Sequence, residues 1–145
     1  MTPYDLGRRF LGVTEISGSG TAPAILWFHS LTGGAAPDEV AWCSSFVSAM
    51  CWLALMPRSP SKAARSWLTV GTPVPLTEAV QGDVVVLWRG NDPQPGPAVL
   101  DAPGHVGFLD RVDTAFVWLL GGNQDNSVSI APFPKTRVLG VRRLT

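Results

Sequence analysis

At Thr72-Pro-Val-Pro the apolar pattern of this chain changes period. Upstream, apolar residues recur at helical spacing: Leu6, Phe10 and Leu11 around Thr2 to Phe10, then Ile25, Leu26 and Phe28 in a segment opened by Thr21-Ala-Pro-Ala and closed near Gly33-Gly34. A third helical run covers Ala41 to Leu55. A fourth is expected from Ser59-Pro60, an N-cap with proline at the first helical position, through AARSWL to Gly71 in the C′ place. Downstream the pattern becomes short apolar runs bounded by turn residues: DVVVLWR (83–89), HVGFLDRV (105–112), AFVWLL (115–120), SVSIAPF (127–133) and VLGVRRL (138–144). Helices segregated ahead of strands predict an α+β fold, N-terminal helices packed on a C-terminal antiparallel sheet of about five strands. They argue against a doubly wound parallel sheet.

The 145 residues fit one domain, 1–145, large enough to bury a core without a staple. Lys plus Arg equals Asp plus Glu at 11 each, so no global field draws the chain to nucleic acid or an anionic membrane. The small basic group of Arg137, Arg142 and Arg143 reads as a solvated strand end. No run approaches the ~18 apolar residues of a membrane span. The opening MTPYDLGRRFLGVTEI lacks a basic stretch followed by an apolar one, so the expectation is synthesis in the cytoplasm without a secretory signal. The segment 90–104, GNDPQPGPAVLDAPG, reads as a long surface loop, a kind that often carries function.

The chemistry rests first on two cysteines in DEVAWCSSFVSAMCW. On one helix Cys43 and Cys51 lie roughly 12 Å apart along the axis and about 80° apart around it. A disulfide needs Cα atoms within about 7 Å, so the two cannot bridge there and can hold different jobs. Cys43 falls in the first turn, where unpaired N–H groups and the helix dipole favour a thiolate. It reads either as a nucleophile or as a small buried hydrophobe. Cys51, among Met50, Trp52 and Leu53, reads as core.

A nucleophile needs a base, and two histidines are present. His105 follows Gly104 at a strand start and is the candidate, while His29, beside Phe28, reads as packing or capping. After AFVWLL comes GGNQDN, either a plain turn or the source of an amide that orients the imidazole. Strand alternation puts Asn123 on the face of Gly121 and turns Gln124 away, so Asn123 is the candidate for that third role. Trp42, Trp88 and Gln124 are candidates for lining a substrate cleft; Trp118 is another, although its apolar strand favours a place in the core.

Taken in order, DEVAWCSSFV, ARSWLTVG, GDVVVLWRG, GHVGFL and LLGGNQDNSVSIAPFPKTRVLGVRR resemble the papain-like peptidoglycan hydrolases of the NlpC and CHAP type, in particular the small subfamily found in phage endolysins and bacterial lytic effectors. The resemblance implies a papain-like fold with Cys43 as nucleophile, His105 as base and Asn123 as the polar third residue. Many CHAP enzymes carry a glutamate two residues before that asparagine, where this chain has Gly121. No counterpart of the calcium-binding acidic loop of some relatives is found, and HExxH and CxxC patterns are missing, so neither a metal nor another cofactor is expected.

The implied reaction is hydrolysis of an amide or peptide bond of the cell-wall stem peptide. Backbone N–H groups of Cys43 and Ser44 would hold the oxyanion, and His105 would protonate the leaving amine. The bond is one between stem amino acids, one in a cross-bridge, or the muramoyl to L-alanine amide, making the enzyme an endopeptidase or an amidase. The implied partner is bacterial peptidoglycan, with an immunity protein as a further one if the enzyme is a toxin delivered to a rival's periplasm and not a phage lysin. The competing readings are a non-catalytic cell-wall binding module and an acyltransferase. Asp38 and Glu39 precede the cysteine helix with roles left open, as is that of His29.

Overall fold

The structure, a computed structural model, describes residues 1–16, 20–34, 36, 41–91 and 93–145. Asp38 and Glu39 lie outside the described residues.

Helix α1 (Pro3–Arg8) starts in a capping box: the Asp5 N–H donates to Thr2 Oγ1 at 3.1 Å and the Thr2 N–H to Asp5 Oδ2 at 3.0 Å. Helix α2 (Pro23–Ser30) takes Pro23 at its first position, where a missing N–H costs nothing. Helix α3 (Cys43–Leu53) is the central one, and Cys43 to Cys51 are all buried. A helix buried all round must satisfy its polar side chains internally. Ser44 Oγ donates to the Ser61 carbonyl at 2.6 Å and accepts from the Trp67 indole at 2.8 Å; Ser45 Oγ bonds Thr32 Oγ1 at 2.7 Å and His29 Nδ1 at 2.9 Å; Ser48 donates to the Ser59 carbonyl. The helix ends where Leu55 turns to φ +57° and the Met56 N–H reaches back to the Cys51 carbonyl at 2.9 Å.

Those serine bonds also explain the fate of the expected fourth helix. Ser59 and Ser61 give their carbonyls to α3, which holds 59–61 as irregular chain, and only a 3₁₀ turn, Ala64–Thr69, forms beyond it.

The strands are β1 (Thr72–Val74), β2 (Val84–Trp88), β3 (Gly104–Val112), β4 (Phe116–Gln124), β5 (Ser127–Pro134) and β6 (Val138–Arg143). Among the described residues they form one antiparallel sheet in the order β1-β6-β2-β3-β4-β5. The fold class is thus α+β as expected, with the short β1 as a strand the sequence patterning leaves out. One face packs Val84, Val86, Val106, Phe108 and Leu120 against the aromatic stack of Phe28, Trp42 and Phe46. The other buries Val85, Leu87, Leu109, Val117, Leu119 and Val141 under Leu76, Ala79 and Phe133. With both faces covered, β2 reads as a continuous apolar run, not an alternating one.

Two arginines of the C-terminal basic group hold the sheet edge. Arg142 donates to the Val70 and Gly71 carbonyls at 2.7 and 2.8 Å, and Arg143 grips Asp83 through two bonds of 3.0 and 2.8 Å. The expected solvated strand end is therefore a structural clamp. Trp118 is half-buried and outside the expected core, its indole on Asp113 at 2.8 Å and its ring 4.0 Å from the Arg111 guanidinium.

The long loop is organised by a buried cation. Arg65, fully buried, donates to the carbonyls of Pro103, Pro95, Gly96 and Val99 at 3.0–3.2 Å. Its guanidinium fork is what lets one side chain serve these four carbonyls and, at 3.4 Å, Gln94 Oε1 as well. Arg65→Met leaves those acceptors without their donor, so we expect a loss of about 3 kcal/mol, read as a fall in Tm of about 6–12 °C. Lysine, with no fork, is expected to recover little of it.

Candidate active site

Cys43 is the first residue of α3, where the opening turn leaves backbone N–H groups without helical acceptors. It is only 2% exposed and faces β3. The His105 side chain and the adjacent Val106 N–H lie close enough to the thiol to act on its proton. Burial pushes the thiol up; the nearby His105 side chain, the Val106 N–H and the Arg89 charge outweigh it, so Cys43 lies below the ordinary thiol value. Cys51 has no such company, and burial pushes it up to about 12. The two thiols are free, as their spacing requires.

Behind His105 stands Gln124. Its Nε2 donates to the Leu119 carbonyl at 3.1 Å, the Ser129 carbonyl at 2.9 Å and Ser129 Oγ at 3.2 Å, which fixes the amide with Oε1 toward the imidazole. Oε1 lies 2.9 Å from His105 Nε2. An amide oxygen only accepts, so Nε2 carries a proton and Nδ1 is left for the thiol. Phe133 braces the imidazole, its ring centroid 5.0 Å away.

Asn123 does not occupy this place. A bulge in β4 is the reason: Gly121 pairs Ser129 and Gln124 pairs Ser127, so Gly122 and Asn123 together oppose one residue, and Asn123 sits at φ +57°. The extra residue resets the alternation and brings Gln124 onto the face of Gly121. There the missing side chain matters, because a Cβ at Gly121 would collide with the Gln124 amide oxygen and lie 3.5 Å from His105 Nε2. Gly122 is equally constrained on the other face, where a Cβ would stand 2.6 Å from the Trp42 ring. The half-buried Asn123 borders the adjoining cavity.

Two cavities flank the Cys43–His105 pair. One, about 350 Å³, is bordered by Trp88, Arg89, His105, Asn123, Asp125 and Arg137. The other, about 520 Å³, is bordered by Cys43, Lys62, Arg89, Asp101 and the end of the loop held by Arg65. Arg89 borders both. Trp88 thus lies where a cleft residue is expected, while Trp42 does not: it is fully buried, stacked on Phe28 with its indole on Glu15 Oε1 at 2.9 Å. Its place just before α3 turns it into the aromatic core.

No family model matches the chain, and no curated protein matches it in sequence. Solved structures that share its architecture include the following two. The peptidoglycan hydrolase RipB from Mycobacterium tuberculosis aligns with a TM-score of 0.54 at 19% identity, over 97% of this chain and 62% of RipB. NlpC1 from Trichomonas vaginalis aligns with a TM-score of 0.52 at 16% identity, over 99% of this chain and 43% of that one. The chain has the NlpC/p60 fold. It spans less than two thirds of either relative.

On this NlpC/p60 scaffold the sequence-derived pair Cys43 and His105 comes together, Gln124 replaces Asn123 behind the histidine, and Arg89, Phe133 and Lys62 are additions that patterning missed. Lys62 fixes the end of α2 through the carbonyls of His29, Thr32 and Gly34 at 3.1, 2.6 and 2.8 Å. His29 is a core residue on Ser45. Among the described residues no group of three or more His, Cys, Asp or Glu is placed to hold a metal ion, and no helix is long and apolar enough to cross a membrane.

The depressed Cys43 thiol has a measurable consequence. Deprotonation below the ordinary value of about 8.5 means that alkylation by a small iodoacetamide-type reagent should rise with a midpoint below that pH. His105→Ala removes the largest of the influences that offset burial and leaves the Val106 N–H and the Arg89 charge, so the midpoint should move up. Mass spectrometry of the modified peptide reads both and keeps Cys51 apart.

Proposed function

We propose that this chain is a peptidoglycan hydrolase that cleaves an amide or peptide bond of the stem peptide through a cysteine nucleophile. The observation that carries the reading is the placement of Cys43 at the start of α3 near His105, with His105 in turn bonded to Gln124, between two cavities. Cys43 attacks the amide carbonyl, and the N–H groups of Cys43 and Ser44 face the developing oxyanion. His105 Nδ1 exchanges the proton between sulfur and the leaving amine, and water then releases the acyl group. Gln124 holds the ring in that tautomer, as the third member of such sites does. RipB, a peptidoglycan hydrolase of the same fold, supports the substrate class.

The enzyme acts in the periplasm or cell wall, as a phage lysin or as an effector restrained by an immunity protein. The deciding experiment is digestion of purified sacculi followed by mass spectrometry of the muropeptides. New termini at one stem-peptide bond are expected; sacculi left intact by wild-type protein at pH 5–9 would overturn the reading.

A further inference from the structure

The cavity on the His105 side carries two guanidinium groups that the fold does not use. Arg58, Arg65, Arg142 and Arg143 are each spent on backbone carbonyls or on Asp83. Arg89 and Arg137 border the cavity of about 350 Å³ and have no hydrogen-bond or ion-pair partner among the described residues. Arg137 is not loose. Its guanidinium carbon stands 5.1 Å from the centroid of the Trp88 ring, and that ring is itself fixed by the indole N–H on the Thr136 carbonyl at 3.2 Å. Arg89 is exposed, and its charge is felt at Cys43, so it lies near the reacting atoms.

The carboxylate bordering the same cavity, Asp125, is exposed at the β4–β5 turn and forms an ion pair with neither arginine. The cavity therefore has an excess of positive charge beside a histidine and an aromatic wall. A guanidinium presents paired N–H donors that match a planar two-oxygen anion, and the face of Trp88 offers apolar contact for the carbons that carry it. The volume lies within the range of small-ligand sites.

Resting on the hydrolase reading above, we propose that the pocket of Trp88, Arg89 and Arg137 binds a free carboxylate of the stem peptide and so selects acidic over amidated cell wall. The carboxylate sits beside the scissile amide, on the His105 side of Cys43.

The test uses synthetic stem peptides in which each carboxylate is converted in turn to the carboxamide. For one position the wild-type protein should favour the free acid by about 10- to 100-fold in kcat/KM, mainly through KM, as expected for a charge-assisted contact. That preference should shrink with added salt. Arg137→Gln should collapse it, Arg137→Lys should recover part of it, and Arg111→Gln, on an exposed arginine paired with Asp110 away from the cavity, should keep it. Equal cleavage of every acid and carboxamide pair, or a preference that survives Arg137→Gln in a folded protein, overturns the proposal while leaving the hydrolase reading intact. Calorimetric binding of the same peptides to Cys43→Ala protein separates the two in the other direction. An acid preference in binding that is lost with Arg137→Gln upholds the pocket even if no peptide is cleaved, and equal or absent binding overturns it.

Discussion

Cys43→Ala is expected to abolish release of muropeptides, and Cys51→Ala to keep most of it. In triads that act as a unit, loss of the nucleophile alone costs about 10⁶-fold in kcat, because base and orienting group then have nothing to activate. Cys43 holds the position for that role, with His105 and the Val106 N–H close to its sulfur and its thiol held below the ordinary value. Cys51 is eight residues further along the same helix, fully buried among apolar side chains, with its thiol pushed up to about 12. Truncating it leaves a small cavity, for which a cost of about 1 kcal/mol is typical, and activity per folded molecule should stay within about threefold. Thermal unfolding of both variants establishes the folded fraction. Comparable losses from the two at equal stability would remove Cys43 from the nucleophile's role.

The same pair illustrates which features a chain declares in its sequence. Helical spacing alone separates Cys43 from Cys51, since eight residues of helix carry the two thiols to different surroundings whatever packs against them. Local periodicity likewise declares the change from helices to strands at Thr72, because amphipathic patterning is a property of neighbouring residues. What stays hidden depends on partners distant in sequence. The 59–61 segment fails to become a helix because Ser44 and Ser48 of α3 claim its carbonyls. Trp42 looks like a cleft aromatic until Phe28 and Glu15 are seen to take its ring and its N–H. Arg65 gives no sign from its own neighbours that it will fasten a loop some 30 residues away.

The third residue of the site is an intermediate case, since the clue was local but acted against the alternation rule. Asn123, Asp125 and Asn126 lie at φ +57°, +54° and +60°, and Asn and Asp tolerate that left-handed region better than other side chains. Asp125 and Asn126 form the two-residue turn between β4 and β5, which pins Gln124 opposite Ser127. With that pairing set from the turn and Gly121 set opposite Ser129, the surplus residue has to bulge out, and Asn123 is the one whose side chain accepts the strained backbone.

Gln124→Ala is accordingly expected to lower kcat by roughly 10- to 1000-fold, and Asn123→Gly by less than about fivefold. Neutralising a carboxylate in the third position of a triad costs about 10⁴-fold, but a neutral amide supplies orientation without charge, so the smaller range applies. In Gln124→Ala the imidazole loses its acceptor at Nε2 and can turn or adopt the other tautomer, while Cys43 and His105 remain. Glycine is the apt replacement at 123, since it removes the amide without penalising φ +57° as alanine would. Gln124→Ala also deprives the Leu119 and Ser129 carbonyls of a donor, so part of any loss is structural and thermal unfolding must accompany the kinetics. The pH dependence of Cys43 alkylation separates the two causes. A misoriented histidine raises the midpoint in the folded fraction, whereas simple destabilisation lowers the amount of that fraction and leaves its midpoint in place. A larger kcat loss from Asn123→Gly than from Gln124→Ala, at matched stability, would return the orienting role to Asn123 and mean that the bulge in β4 is misplaced by one residue.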